Sequence, residues 1–297
     1  MSTFSQLEQT VSANSSRGFL HHAVRAFRLP QTIAVNRTLT KHFFGRTLEN
    51  RFQGSVLGPL WVLIHPVFLF AVYFVVFGLL MGRGGDQPPL TFALYLFTGL
   101  MVFHSITQAS NNALTSISQN ANLVKKVKFP CELLPAVPAF VESTVALVGL
   151  AVACLVGVLT GEMQLGWELL LLPWFLVVLV TLTTGLSLLL ANANVFYADI
   201  RNLYGIFSTA WFFLSPNFWP PSFVHDLVPG ITPWLAVNPA YNLLLAERQI
   251  FGLDRPEMMI QLSVVENLSI ATLWALVLMT VGYGSFMAQK HKYADLV

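Results

Sequence analysis

The sequence predicts an all-α integral membrane protein with six transmembrane helices, an N-terminal amphipathic interface helix and re-entrant half-helices between spans five and six. Of the 297 residues, 55% are hydrophobic and only 10% are charged, whereas soluble proteins average roughly 25% charged residues. Apolar stretches of about 20 residues, enough to cross the hydrocarbon core as a helix, also recur along the chain.

The first part of the chain is predicted to lie on the membrane surface. Residues 1–30 contain no continuous apolar run of the kind found in a signal peptide, so we expect a flexible cytoplasmic extension. Residues 31–55 are predicted to form a basic amphipathic helix in the headgroup plane, kinked near Gly45, where the apolar face changes direction. A solvated basic segment is the alternative. The apolar positions are Val35, Leu39 and Phe43, followed by Phe44, Leu48 and Phe52.

Residues 56–297 are predicted to form one membrane domain. Residues 220–263 contain six prolines around two semi-apolar pieces, neither long enough to cross a bilayer. Because irregular backbone at membrane depth persists only beside protein or a water-filled cavity, these pieces are predicted to be re-entrant or interfacial helices. The spans are expected at about 56–81, 90–118, 134–159, 169–191, 203–219 and 264–288.

The distribution of positive charge predicts the orientation of the chain. Lys125, Lys126 and Lys128 form a dense loop between spans two and three. Such charges are costly in hydrocarbon, and short basic loops remain cytoplasmic. Placing this loop inside also places 13 of the 16 lysine and arginine residues inside. Both termini are therefore predicted to be cytoplasmic.

The sequence lacks the motifs that are typical of ATP hydrolysis, metal binding and acid–base catalysis. It contains no GxxxxGK[ST] phosphate-binding loop, so P-loop ATP hydrolysis within this chain is excluded. It also lacks an HExxH or clustered Cys/His pattern typical of a metal site. No paired carboxylates on an inner helical face supply the acid and base of glycosyl transfer. The chain is therefore predicted to be no enzyme, and to hold no cofactor or metal of its own.

Some intramembrane side chains are candidates for lining a channel. Glu142 is the one carboxylate well inside a predicted span, and such groups face a bundle interior or cavity unless they reach the interface or pair with a basic helix. Aromatic stripes at helical spacing on spans one and five could stack on sugar rings, with helix packing or an interfacial belt as the alternative. The candidates are Phe70, Tyr73, Phe74, Phe77, Glu142, Phe207, Trp211 and Phe218.

Four stretches carry a resemblance to a known family. They are RTLENRFQGSVLGPLWVLIHPVF (46–68), NANLVKKVKFPCELLP (120–135), NVFYADIRNL (194–203) followed by FFLSPNFWP, and NPAYNLLLAERQIFG (238–252). In this order, from about residue 35 onward, they resemble the membrane subunit of type-two ABC permeases that export polysaccharides and polyol phosphates. The sequence departs from that pattern at Thr47, where the family commonly has an acidic residue, and at Ala198, where it commonly has arginine.

The resemblance implies partners as well as a fold. Two copies would form a homodimer around a channel in the bacterial inner (plasma) membrane, and two separate ATPase subunits would bind ATP and Mg. The cargo would be a glycan on polyprenyl diphosphate, of O-antigen or capsule type, and no nucleic acid is involved. An exporter of a drug, lipid or other small substrate is one alternative. A membrane-embedded glycan polymerase or transferase, using Glu247–Arg248 or Asp254–Arg255, is another.

The resemblance also implies roles for particular residues. Contacts with the ATPase or with lipid headgroups are expected at Arg46, Arg51, Asn122, Lys125, Lys126, Lys128, Phe129, Pro130, Asp199 and Arg201. Topogenic charge and headgroup anchoring alone are the alternative for these basic side chains. An outer gate is expected at Pro220, Pro221, Asn238, Pro239 and Arg248.

Overall fold

The computed structural model describes residues 29–50, 55–82, 89–126, 129–228, 230–254 and 262–297. Throughout these ranges the regular secondary structure is helical, which confirms the predicted all-α class. The helices are α1 (Leu29–Val35), α2 (Arg37–Asn50), α3 (Trp61–Tyr73), α4 (Pro89–Leu114), α5 (Ala121–Val124), α6 (Leu133–Leu159), α7 (Leu172–Phe196), α8 (Ile200–Phe213), α9 (Pro221–Leu227), α10 (Thr232–Leu235), α11 (Pro239–Ile250), α12 (Val264–Gln289) and α13 (Tyr293–Leu296).

In the described part of the chain, four helical segments are long and apolar enough to cross a membrane. They lie where spans two, three, four and six are predicted. At the first predicted span, α3 continues as a π-helix over Phe74–Leu80, and only the shorter stretch Val67–Leu80 is apolar throughout. The four long segments are Pro89–Leu114, Leu133–Thr160, Trp167–Phe196 and Val264–Leu296.

Several boundaries differ from the predicted ones, and at two of them a polar side chain bonds to the backbone. The first helical segment is interrupted at Asn36, whose amide donates to the Thr32 carbonyl at 2.8 Å, while α2 passes through Gly45 without a break. Helix α8 ends at Phe213, six residues before the predicted end at 219, and the Asn217 side chain donates back to the Phe212 carbonyl at 2.9 Å.

The inner loop predicted at residues 192–202 is mostly helical, since α7 continues to Phe196. The Asn194 amide caps the neighbouring helix by donating to the Leu114 carbonyl at 2.8 Å. Asn194 therefore lies within α7 and links its C-terminal end to that of α4, instead of terminating α7.

Helix α4 lies at the centre of the bundle. Of its most apolar 18-residue window, 83% is buried, against 33% to 39% for the other three long helices. Helices α7 and α12 approach each other closely at Gly185 and Gly282, where a Cβ would collide with the backbone of the partner helix. Small residues at such crossings allow the tight packing on which helix association in lipid depends.

The bundle has two ends of different composition. At one end, which we call the lysine-loop end, the C-terminal ends of α4, α7 and α12 meet the start of α6. The opposite end joins the C-terminal end of α6 to the starts of α4, α7 and α12, through hydrogen bonds of Thr91 to Glu162 and of Trp174 to Thr272. Helix α11 meets α12 at this opposite end, where Gln249 bonds to Leu262.

Candidate functional site

An apolar cluster, separate from the main core, organises the lysine-loop end. It contains side chains from helices α1 and α2, the lysine loop, the end of α7 and the C-terminal segment, so these distant stretches of sequence meet in one place. Its buried members are Leu29, Ile117, Val124, Cys131, Leu134, Leu188, Ala191, Met279, Tyr283, Phe286 and Tyr293. Burial raises the pKa of the Cys131 thiol above its ordinary value, which favours a packing role over a reactive one.

Phe129 of the lysine loop joins the interface helix to this cluster. Its ring meets that of Phe43 edge to face, with centroids 5.8 Å apart. Phe129 and the adjacent Pro130 are half-buried. Of the predicted contact residues, Phe129 therefore holds the loop in position, while the polar ones lie outside the cluster.

The C-terminal segment is a part of this end that sequence reasoning missed. The Lys290 ammonium forms an ion pair with the Glu132 carboxylate at 2.9 Å. Tyr293 is fully buried, and its hydroxyl donates to Asn192 Oδ1 at 2.7 Å. An aromatic residue among charged residues in a short tail was the available sequence signal, and it is a weak one.

The predicted polar contact residues of this end present their side chains to the outside. All those that the structure describes are exposed, and within the described ranges none forms an ion pair. They are Arg46, Asn122, Lys125, Lys126, Asp199 and Arg201. Arg51 and Lys128 lie outside the described residues.

The aromatic stripe on span one packs against the same chain. Phe77 stacks on Phe218 with ring centroids 4.1 Å apart, and Tyr73 stacks on Phe212 at 5.2 Å. Phe70 meets Phe97 edge to face at 5.6 Å. These geometries fit the helix-packing alternative, since each ring already has an aromatic partner.

The other channel candidates divide by exposure. Phe74 is half-buried beside Phe92. Phe207 is 56% exposed, whereas Trp211 is buried and donates its indole N–H to Asn238 at 2.6 Å. Glu142 is buried between α4 and α6, where its carboxylate accepts a hydrogen bond from the Asn112 amide at 3.0 Å.

A groove between α3, α4 and α8, with a mixed apolar and polar lining, contains residues that the sequence reasoning did not select. Its volume is about 190 Å³, and Tyr73 is the one earlier candidate in its lining. The α4 residues repeat at helical spacing inside an apolar helix, which is the signal that could have found them. The polar members of the lining are His104, Thr107, Asn111, Ser208 and Thr209.

Asn238 is the hub of the predicted gate region. Its Oδ1 caps α11 by accepting from the Ala240 N–H at 3.0 Å, and its Nδ2 donates to Ser215 Oγ at 2.9 Å. Pro239 occupies the first position of α11, where a missing N–H has no cost. Pro221 occupies the first position of α9 in the same way, and Pro220 precedes it as the N-cap residue.

Arg248 lies inside the core of the gate region, without exposed surface. Its guanidinium donates to Glu247 Oε2 at 2.7 Å and to Thr98 Oγ1 at 2.6 Å, and it stacks over the Tyr95 ring at 3.8 Å. The pair thereby ties α11 to the central helix α4. Because both partners are fully buried, they are not available to a substrate as the polymerase alternative requires.

The architecture defines a class of protein: a multi-pass helical membrane protein with a structured, charge-bearing surface at one end of its bundle. Residues 38–250 match the family described as ABC-2 type transporter, and the chain belongs to this family. Its members are transport subunits, which imply an ATPase partner.

Several known proteins are similar to this chain over most of its length. The O-antigen export system permease protein RfbA of Myxococcus xanthus is 27% identical over 248 residues, covering 84% of this chain and 93% of the relative. RfbA of Klebsiella pneumoniae is 25% identical over 260 residues, covering 85% and 92%. The polysialic acid transport protein KpsM of Escherichia coli is 23% identical over 219 residues, covering 72% and 81%.

Proposed function

We propose that this chain is the channel-forming permease subunit of an ATP-driven exporter that moves a lipid-linked polysaccharide, of O-antigen or capsule type, across the bacterial inner membrane. The observation that carries the proposal is the similarity to O-antigen export permeases over 84% to 85% of the chain. Two copies form a homodimer with six spans each, both termini are cytoplasmic, and two separate ATPase subunits supply the energy.

The lysine-loop end is the element that receives this energy. The exposed Lys125 and Lys126 lie on a loop that Phe129 fastens to the interface helix, and the C-terminal segment braces the same cluster. Helix α4, which is connected to this loop through the short helical stretches Ser118–Asn120 and Ala121–Val124, leads to the buried Arg248 pair at the other end. Movement imposed on the loop is thereby passed along a packed helix to the gate region.

The groove between α3, α4 and α8 is the protomer's half of the export channel. Polar side chains at membrane depth must face protein or a water-filled path and not lipid. Hydroxyl, amide and imidazole groups of His104, Asn111 and Ser208, next to the aromatic ring of Tyr73, suit a sugar chain, which offers hydroxyls and apolar ring faces. The re-entrant α9 to α11 region forms the exit of the channel.

The experiment that tests this function compares a strain lacking the gene with the same strain complemented. We would extract membranes, quantify glycan on polyprenyl diphosphate, and measure polymer at the cell surface. We expect full-length lipid-linked polymer to accumulate inside while surface polymer disappears. Accumulation of short precursors would favour the polymerase alternative, and unchanged surface polymer would contradict both readings.

A further inference from the structure

A polar pocket lies at the end of the bundle opposite to the lysine loop. Its volume is about 380 Å³, within the range of about 300–1,000 Å³ typical of ligand pockets. Its walls are the α6–α7 loop, the C-terminal end of α11 and the start of α12. None of the residues assigned above to coupling, to the groove or to the gate lines it.

The walls of this pocket are held in place by contacts within the chain. Gly252 has φ +61°, and a Cβ there would collide with the backbone of Gln164, so α11 and the α6–α7 loop touch directly. The Gln249 side chain donates to the Leu262 carbonyl at 2.8 Å and accepts from Asn267 at 3.0 Å. The site is therefore formed before any ligand arrives.

Trp167 presents an indole at the pocket. Its side chain is 60% exposed, and its N–H donates to no other residue of the described ranges. The indole N–H groups of Trp174 and Trp211, by contrast, donate to Thr272 and Asn238. An exposed indole offers a flat apolar face together with a hydrogen-bond donor, and both features complement a sugar ring.

The charge of the lining restricts which sugars it accepts. Glu168 and Asp254 place two carboxylates at the pocket, and its described lining includes no lysine or arginine. Carboxylates accept hydrogen bonds from hydroxyl groups, whereas a ligand that carries phosphate or carboxylate groups is repelled. The pocket thus suits uncharged or amino sugars.

We propose that this pocket is a glycan-contact site at the channel exit, which takes uncharged sugar residues of the emerging polymer. Trp167 stacks on a ring face, and Gln164, Glu168 and Asp254 bond to hydroxyl groups. The inference rests on the proposed function and adds the substrate class, a polymer whose repeat lacks phosphate and carboxylate groups.

The test uses the purified full-length permease in lipid nanodiscs. The probes are short fragments of the host's own surface polysaccharide, prepared by partial hydrolysis, and binding is measured by saturation-transfer NMR. We expect Trp167→Ala to weaken binding about tenfold. Trp234→Ala is the matched control, because Trp234 is also exposed, at 78%, but does not line the pocket. If Trp167→Ala does not fold, Gln164→Ala replaces it.

Charge is tested with a second probe, a sialic acid tetramer. Wild-type protein should not bind it, whereas the Glu168→Gln/Asp254→Asn double variant, which removes both negative charges, should bind it. The site is refuted if Trp167→Ala binds fragments as wild type does, or if Trp234→Ala loses them equally, which would mark Trp167 as an interfacial anchor only. The assigned substrate class is refuted if the host polymer is anionic or if wild type binds the tetramer.

Failure of this site and failure of the proposed function give different results. If deleting the gene leaves surface polymer unchanged, the export function is refuted, and the glycan-contact site is refuted with it. If deletion removes the polymer but the pocket variants bind fragments normally, export stands and only the site is refuted.

Discussion

At the lysine-loop end, exposed charges surround an apolar cluster, whereas at the opposite end a charged pair lies inside the core. Lys125 and Lys126 are exposed, while Arg248 and Glu247 have no exposed surface. A buried charge that loses its partner is left in a low dielectric, but an exposed charge keeps its water. Substitution should therefore unfold the protein at one end and impair only its contacts at the other.

The largest effect on folding is expected for Arg248→Ala. This change leaves the buried Glu247 without its partner, which costs about 3–5 kcal/mol in comparable pairs. Thermal unfolding of the purified protein in detergent should show a large fall in midpoint, and membrane levels should drop. An unfolding midpoint equal to that of the wild type would contradict the expected difference between the two ends.

A double variant separates loss of the pair from loss of packing. Glu247→Leu combined with Arg248→Met removes both charges and keeps most of the volume. We expect it to be more stable than Arg248→Ala alone, because no unpaired charge remains. If the double variant is the less stable of the two, the ion pair is not the source of the effect.

Tyr293→Phe sharpens the comparison, since it removes a buried hydrogen bond at the lysine-loop end. The change leaves Asn192 Oδ1 without the hydroxyl that now donates to it at 2.7 Å, at a cost of about 1–3 kcal/mol. Tyr197→Phe is the matched control, because Tyr197 lies on the same end but is 70% exposed. The same unfolding measurement should separate the two variants, and equal midpoints would contradict the assigned role of Tyr293.

The two ends also differ in how far their sequence allowed prediction. Charge density and prolines led to the predictions of the lysine loop and of a gate region, because bilayer physics acts on composition and needs no knowledge of packing. The role of Arg248 was not predictable in this way. Its partners Thr98 and Tyr95 lie about 150 positions away, and only the packing of α11 on α4 brings them together.

The aromatic residues of span one show the same limit of prediction from sequence. Helical spacing correctly placed Phe77 and Tyr73 on one face, but spacing does not say whether that face meets a channel or another helix. The structure pairs them with Phe218 and Phe212, from a turn and a helix far along the chain. The half-buried groove residues His104 and Ser208 were missed because a few polar residues in an apolar helix give a weak pattern.

A smaller effect is expected for Glu132→Gln. Glu132 itself is buried, but its partner Lys290 keeps 30% of its side chain exposed, so solvent screens the pair in part. Partly exposed ion pairs contribute roughly 0–1 kcal/mol, and the unfolding midpoint should fall only slightly. A fall as large as that of Arg248→Ala would show that the charges at this end are as essential to folding as the buried pair.

The smallest effect on folding is expected for Lys125→Ala/Lys126→Ala. Both side chains are exposed, and surface substitutions usually change stability by within about 0.5 kcal/mol. Under the proposed function, however, the variant should retain the ATPase subunit about tenfold more weakly in co-purification and should lose surface polymer. Lys125→Arg/Lys126→Arg preserves the charge and should behave as wild type. Normal ATPase retention and export in the alanine variant would reduce these lysines to topogenic charges, and the coupling role would then pass to other parts of this end.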